Sequence, residues 1–296
     1  MIYNTIEELI TAIFGNDIRI IGRKPVYGGD INSAFRLTLS DGRSVFLKSN
    51  SPKNLSFFRA ESKGLEALRQ TGTIGVPEVL GIGKDKDTSF LLLEYLEAAP
   101  KIDEYWEVFG RELAALHRAD CRHLTGNGCF GFAEDNYIGA SPQKTTPTPR
   151  WVDFFRDNRL LPQMRMADRY FDPRIRQLCT KLLDHLDSYL PEPEFPSLIH
   201  GDLWGGNAAP GPDGKAWIFD PAAYVGHFEA ELAMTELFGR CPEEFYRAYH
   251  EINPIDSGYK DRRDLYNLYH LLNHLNLFGG SYLGSVKGIL NRYATK

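Results

Sequence analysis

The stretch LIHGDLWGGNAAPGPDGKAWIFDP, residues 198–221, gathers a histidine, an asparagine and three aspartates among five glycines. A packed core does not select that mixture, because each buried polar group needs a partner, and the segment reads as a site. Within it, Gly211-Pro212-Asp213-Gly214 is a turn: proline presets φ, aspartate bonds the neighbouring backbone, and glycine takes positive φ without strain. Short strand-like runs flank the turn, so the chain folds back and brings Asn207 near Asp220. An asparagine and an aspartate with oxygens aimed at one point suit a hard divalent ion, and Mg2+ is usually held by few protein groups plus substrate phosphates. Asp202 stands five residues before Asn207. In phosphoryl transfer from ATP, that spacing separates the aspartate that accepts the substrate hydroxyl proton from the asparagine that holds metal, and a second metal-binding aspartate follows further on. Asp202, Asn207 and Asp220 keep that order, although each taken alone is more often a turn residue.

Upstream, IRIIGRKPVYGGDINSAFRLTLSDGRSVFLKSN reads as three strands, about 18–27, 33–39 and 43–49, with Asp41-Gly42 turning between the last two. Lys48 ends the apolar run SVFLK, where its head can emerge at the strand edge and reach phosphates. Residues 55–70 place Leu55, Phe58, Leu65 and Leu68 on one helical face, and Gly72 follows as a stop. Glu61 lies within that face thirteen residues after Lys48. A carboxylate there costs energy unless paired, and a Lys48–Glu61 ion pair answers the cost. YGGDINSAF, 27–35, offers Gly28 and Gly29 as a strand turn that can cover phosphates with backbone N–H groups. The apolar strand SFLLLEYLE, 89–97, changes character at Glu94. It reads either as an adenine-binding connector through Glu94, Tyr95 and Leu96 or as an ordinary buried strand end.

A helix is also expected within 4–14, from Ile6, Leu9, Ile10 and Ile13, with Thr5 and Glu8 as its capping box. From about residue 103 the pattern is mainly helical, with helices at about 151–168, 172–189, 229–239, 242–251 and 261–277. The segment 125–151, rich in Gly, Pro and Thr, is long for a loop inside a compact domain, and such loops are usually functional or mobile. No repeats are evident.

With 296 residues, 43% of them hydrophobic, the chain can bury a substantial core as one large domain or two lobes. No apolar run is long enough for a membrane span and no N-terminal segment has the pattern of a secretion signal, so a cytoplasmic protein is expected. Cys121, Cys129, Cys179 and Cys241 include no C-x-x-C pair, which leaves buried reduced thiols as the expectation. The net charge of −5, without a basic tract, argues against nucleic acid as a partner. His270 and His274 have the spacing of a zinc pair, but the glutamate of that motif and a third ligand are missing, so packing or hydrogen bonding is expected of them.

HGDLWGGN, FDPAAYVGHFEAELAMTELFG and LYNLYHLLNHLNLFGG, with FGFAEDNYIG and WVDFFRDNRLLPQ, resemble the fructosamine kinases, or ketosamine 3-kinases, within the aminoglycoside phosphotransferase-like group. The resemblance covers nearly the whole chain. It implies an α+β, two-lobed protein-kinase-like fold. Residues 1–96 would form a small antiparallel-sheet lobe with one helix, and 97–296 a larger, mainly helical lobe. It further implies ATP and Mg2+ as cofactors and transfer of the γ-phosphate to the 3-hydroxyl of a ketosamine, free or on a protein, after which the adduct decomposes and frees the amine. On that basis Asp202 would be the base, Asn207 and Asp220 the metal ligands, Lys48 the phosphate-binding lysine fixed by Glu61, and residues 94–96 the adenine contact. Trp204 would either pack on the sugar or anchor its loop. His227 and Glu229 would face the substrate or cap the next helix, with capping favoured for Glu229. Thr145 stands where the family's asparagine is expected, and the glycine turn lacks the cysteine that some members carry. Another small hydroxyl acceptor, such as an aminoglycoside, a choline-like alcohol or a free sugar, is the alternative substrate. A non-catalytic nucleotide-binding module is the alternative function.

Overall fold

The computed structural model describes residues 1–27, 32–125 and 129–294. It begins with a two-residue strand, β1 (Ile2–Tyr3), and helix α1 (Ile6–Phe14). Thr5 Oγ1 accepts the Glu8 amide at 3.0 Å, while the Glu8 carboxylate accepts the Asn4 amide at 2.8 Å, one residue earlier than a strict capping box would have it. The strands β2 (Ile20–Val26), β3 (Ser33–Leu39) and β4 (Ser44–Asn50) form a meander, with Gly42 at φ 90° in the second turn. With β1, β5 (Val79–Lys84) and β6 (Ser89–Glu94) they make a six-stranded sheet in the order β1-β5-β6-β4-β3-β2. One pairing departs from the antiparallel expectation: β1 runs parallel to β5. No hairpin joins these two strands, so nothing forces the opposite direction. Pro25 sits in β2, an edge strand, where a missing N–H is tolerated.

Helix α2 spans Leu55–Gln70, the range its periodicity predicts. Its buried Phe58, Leu65 and Leu68 belong to the large hydrophobic core of the helical part of the chain, whereas α1 and the sheet share a smaller core built on Leu9, Leu37, Leu47 and Phe90. Thus α2 ties the sheet to the rest of the molecule.

The remainder is α3 (Tyr105–Arg118), a hairpin β7 (Asn136–Ile138) and β8 (Ser141–Gln143), then α4 (Trp151–Phe154), a π-helical stretch 155–160, and α5 (Leu161–Met166). After α6 (Pro173–Asp184) come the strands β9 (Ser197–Ile199), β10 (Ala208–Pro210), β11 (Ala216–Ile218) and β12 (Tyr224–Gly226), and finally α7 (Phe228–Leu237), α8 (Glu243–Ile252), α9 (Tyr259–Phe278) and α10 (Leu283–Ala294). β10 pairs with β11 around the predicted turn, and β9 pairs with β12. From residue 129 onward the Gly/Pro/Thr-rich segment is no open loop: besides its hairpin, Phe130 bridges Thr148 and Gly131 bridges Val225.

Helices α3 and α8 meet at Gly110. A Cβ there would lie 2.2 Å from the Phe245 carbonyl oxygen and 3.0 Å from the Tyr249 nitrogen, both α8 backbone. An unhindered Gly→Ala change in a helix stabilises by up to about 1 kcal/mol, but backbone cannot yield as a side-chain tip can. Gly110→Ala is expected to destabilise by about 1–3 kcal/mol, read as a lower urea midpoint at unchanged m-value. A gain would show that the two helices have room to part.

Candidate active site

The loop between β9 and β10 carries His200, Asp202, Trp204 and Asn207. Gly201 holds φ at 81°, and a Cβ on it would stand 2.3 Å from the Ala222 carbonyl oxygen, so this close approach requires glycine. His200 Nε2 donates to the Phe219 carbonyl at 2.8 Å and Nδ1 accepts the Asp202 amide at 3.3 Å. One nitrogen donating and the other accepting is the pattern of a neutral imidazole, and burial pushes the His200 pKa down accordingly. Beneath the loop, the buried Glu231 of α7 accepts the His200 amide at 2.7 Å, the Gly201 amide at 2.8 Å and His117 Nε2 at 3.2 Å. Burial alone would raise the Glu231 pKa, but these donors outweigh it and hold the carboxyl below its usual range. His117 is in turn fixed by the Tyr249 hydroxyl at 2.7 Å. The sequence reading passed over Glu231.

Asn207 Nδ2 donates to the Asp202 carbonyl at 2.8 Å and to Asp202 Oδ2 at 3.3 Å, which leaves the amide oxygen as the atom that can serve a cation. The Phe219 amide bonds the Asn207 carbonyl at 3.1 Å, so the fold-back brings Asn207 and Asp220 together. Asp220 has φ 59°, a left-handed conformation that few residues other than glycine adopt. Burial, and then the negative charge of Asp220, push the Asp202 pKa up to about 8.

Lys48, 6% exposed, is paired with Glu61 Oε1 at 2.6 Å and with Asp220 Oδ1. Burial would lower its pKa, but the two carboxylates overcome that and raise it. The lysine, both of its carboxylate partners, Asp202 and Asn207 therefore form one cluster between the sheet and the helical body. Its oxygen donors are of the hard kind that Mg2+ takes, and its ammonium is of the kind that phosphates take.

Glu94, at the end of β6, turns its carboxylate back to the Glu78 amide at 3.1 Å, and the Tyr95 ring lies under Arg36 at 4.5 Å. Leu96 follows past the ladder, half-buried. Gly28 and Gly29 lie outside the described residues. Trp204 is 41% exposed, its ring over Gly206, so it does not anchor the loop by burial. Of the two roles expected of His227, substrate contact or helix capping, its contacts show the second. The residue is buried, and its Nδ1 accepts the Glu229 amide at 3.2 Å, so that His227 itself caps α7. Burial pushes its pKa down to about 3. The capping expected of Glu229 is corrected, since that carboxylate makes a two-pronged pair with Arg262 at 2.8 and 2.6 Å. Thr145 is fully buried and bonds the Glu134 carbonyl at 2.7 Å. His270 is buried, and His274 stacks on Phe238 at 4.4 Å.

A family model described as fructosamine kinase matches residues 2–296. A Synechocystis sp. protein assigned as a ketoamine kinase is 41% identical over 295 residues, covering 98% of this chain and 96% of its own length. The chloroplastic protein-ribulosamine 3-kinase of Arabidopsis thaliana is 38% identical over 290 residues, covering 97% of this chain and 86% of its own. The crystal structure of a Haemophilus somnus protein assigned as a fructosamine-3-kinase superposes with a TM-score of 0.86 at 30% identity, covering 98% of this chain and 96% of that one.

Two consequences of the geometry can be measured. Because the folded-state pKa of Asp202 lies above its unfolded value of about 4, the folded protein binds the extra proton between the two values. Stability from this group is therefore present at low pH and lost as pH rises from about 4 through about 8. Asp202→Asn cannot titrate, so in metal-free buffer its Tm advantage over the parent should be larger at pH 8 than at pH 5. An equal difference at both values would show that Asp202 titrates normally. Glu231→Ala strands three donors in the interior and is expected to cost about 3–5 kcal/mol, with Glu231→Gln, which keeps one acceptor oxygen, costing less. Chemical denaturation of both variants checks the order.

Proposed function

The chain belongs to the fructosamine kinase family, and from that premise we propose that it phosphorylates the 3-hydroxyl of ketosamines, free or protein-bound, with ATP and Mg2+. The observation that carries the reading is that one buried ammonium, that of Lys48, holds carboxylates from α2 and from the segment after β11, beside Asp202 and Asn207. Mg-ATP bound here supplies the transferred phosphoryl group and a divalent charge.

Every other element of the proposal is work for the chain's own residues. Lys48 binds phosphate oxygens, and Glu61 keeps the ammonium at the sheet edge. Asp220, together with the amide oxygen of Asn207, holds the cation, and Glu94, Tyr95 and Leu96 border the adenine. Asp202 orients the sugar 3-hydroxyl and accepts its proton at a carboxylate oxygen, while Asn207 fixes the Asp202 carboxyl through its Nδ2 at 3.3 Å. The exposed Trp204, in the same loop, offers an aromatic face to the sugar. Catalysis of this kind is chiefly positioning and charge stabilisation. The phosphorylated adduct then decomposes and releases the amine, so the activity amounts to deglycation.

ADP release with Mg-ATP and ribulose-lysine, fructose-lysine, free ribose, choline or kanamycin tests this. Turnover is expected with the ketosamines only, and Asp202→Asn is expected to lower it by roughly 10²–10⁴-fold while nucleotide affinity survives. Turnover confined to another acceptor would overturn the substrate, and near-normal turnover by the variant would remove Asp202 as the base.

A further inference from the structure

The hairpin β7–β8 and its flanks contact both segments that supply carboxylates to Lys48: α2, and the residues just after Asp220. On one face, the Tyr137 ring stacks on Phe57 of α2 with centroids 3.8 Å apart and planes 12° from parallel, and the Tyr137 hydroxyl lies 3.0 Å from Ser56 Oγ. Phe57 precedes Glu61 by four residues, one helical turn, so the stack bears on the same side of α2 as the carboxylate that holds Lys48. Lys63, further along α2, pairs with Glu134 just before the hairpin.

On the other face the contacts are polar and buried. Asn136 Nδ2 donates to the Ala223 carbonyl at 2.7 Å, and Gln143 Nε2 donates to the Ala222 carbonyl at 3.0 Å and to Asn136 Oδ1 at 2.7 Å. Gln143 Oε1 accepts the Tyr269 hydroxyl at 2.5 Å. Neighbouring residues of a strand point to opposite faces, and this alternation lets Tyr137 reach α2 while Asn136 reaches the segment that begins at Asp220. The base of the hairpin is pinned as well: the Lys144 carbonyl accepts Arg159 Nη1 at 2.5 Å, and Thr145 bonds the Glu134 carbonyl at 2.7 Å. Between the two braced segments, Gly64 of α2 lies close enough to Pro221 that a Cβ would stand 3.2 Å from its ring.

We propose that this hairpin is a brace for the nucleotide site, with Tyr137 as the positioning residue for the Lys48–Glu61 pair and with Asn136 and Gln143 as those for the Asp220 segment. The proposal rests on the reading of Lys48 as the phosphate-binding lysine. It gives the hairpin of the Gly/Pro/Thr-rich segment a role: the hairpin sets how well α2 and Asp220 present their carboxylates to one ammonium.

The test measures three quantities on Tyr137→Ala: the Kd of a non-hydrolysable ATP analogue by calorimetry, the KM for ATP against kcat, and the Tm without nucleotide. A stacked aromatic pair contributes about 0.5–1.5 kcal/mol beyond its burial, so Kd and KM for ATP are expected to weaken by roughly two- to tenfold with kcat less affected. Tyr137→Phe keeps the ring and should restore both. Lys63→Ala loses only an exposed ion pair and should leave both unchanged. Phe57→Leu breaks the same stack from α2 and gives the same readout should Tyr137→Ala fail to fold. A lower Tm with Kd and KM for ATP unchanged would make the stack merely structural and overturn the brace. Lys48→Ala, run alongside, separates the two readings. If it leaves nucleotide binding intact, the assignment of the site has failed; if it abolishes binding while Tyr137→Ala does nothing, only the brace has failed.

Discussion

A lysine ammonium placed in a protein interior either loses its proton or finds negative charge within a few ångströms. Lys48 does the second, and its two partners come from segments far apart in the chain: Glu61 from α2 and Asp220 from beyond β11. One charge thus fixes the relative positions of a central strand, a helix and the loop after a hairpin. Much of the nearby structure follows from that requirement. α2 must approach the Asp220 segment, and Gly64 allows it by presenting no side chain to Pro221. The Asp220 backbone must turn through a left-handed conformation to bring its carboxylate round to the lysine. Removing both carboxylates would leave the buried ammonium uncompensated, which is far costlier than never having formed the pairs.

Two acids close to one another, Glu231 fully buried and Asp202 half-buried, are treated in opposite ways, and the difference is largely a matter of donors. Glu231 accepts two backbone amides and an imidazole, and stays ionised in spite of burial. Asp202 loses solvation and is repelled by Asp220, with only the side-chain amide of Asn207 to offset them, and its pKa climbs. The well-bonded carboxylate supports the loop from below; the poorly satisfied one is carried on top of it. A group that is to exchange a proton cannot also be tied down by three hydrogen bonds, so structural and reactive acids are naturally divided between different positions.

What the sequence disclosed follows the range of the forces involved. α2 is legible to the residue because Phe58, Leu65 and Leu68 repeat at helical spacing and Gly72 ends the run, and the β10–β11 turn is legible because Gly211 to Gly214 specify it chemically. The Asp202, Asn207 and Asp220 cluster was readable from spacing, and the Lys48–Glu61 pair from the problem of a carboxylate on an apolar face. Elements defined by distant partners were not. β1 is two residues long and exists only because β5 lies beside it. β5 itself, VLGIGK, carries two glycines that mask its strand character, and β7–β8 is two three-residue strands whose bonds run to the 222–223 backbone. The helix expected over 151–168 is interrupted by a π-helical stretch that no periodicity announces, and α10 has only three buried residues to mark it. Glu231 escaped notice because α7 is buried on nearly all sides, which erases the polar stripe against which an inward-facing acid would stand out. In the same buried surroundings His227 commits its Nδ1 to the Glu229 amide, capping α7.

The charges around Asp202 also connect binding to reactivity. Asp220 raises the Asp202 pKa while it is balanced by only the single charge of Lys48, itself shared with Glu61. A divalent cation at Asp220 would replace that shared unit charge with a larger one, and phosphates would draw Lys48 toward themselves. The repulsion that Asp220 adds to the larger effect of burial on Asp202 would then be weakened. Low local dielectric magnifies each of these changes. Under the proposed reading, Asp202 would accept a proton more readily with nucleotide and metal in place than without them. Asp220 would then serve two neighbours at once, the cation it holds and the acid it repels.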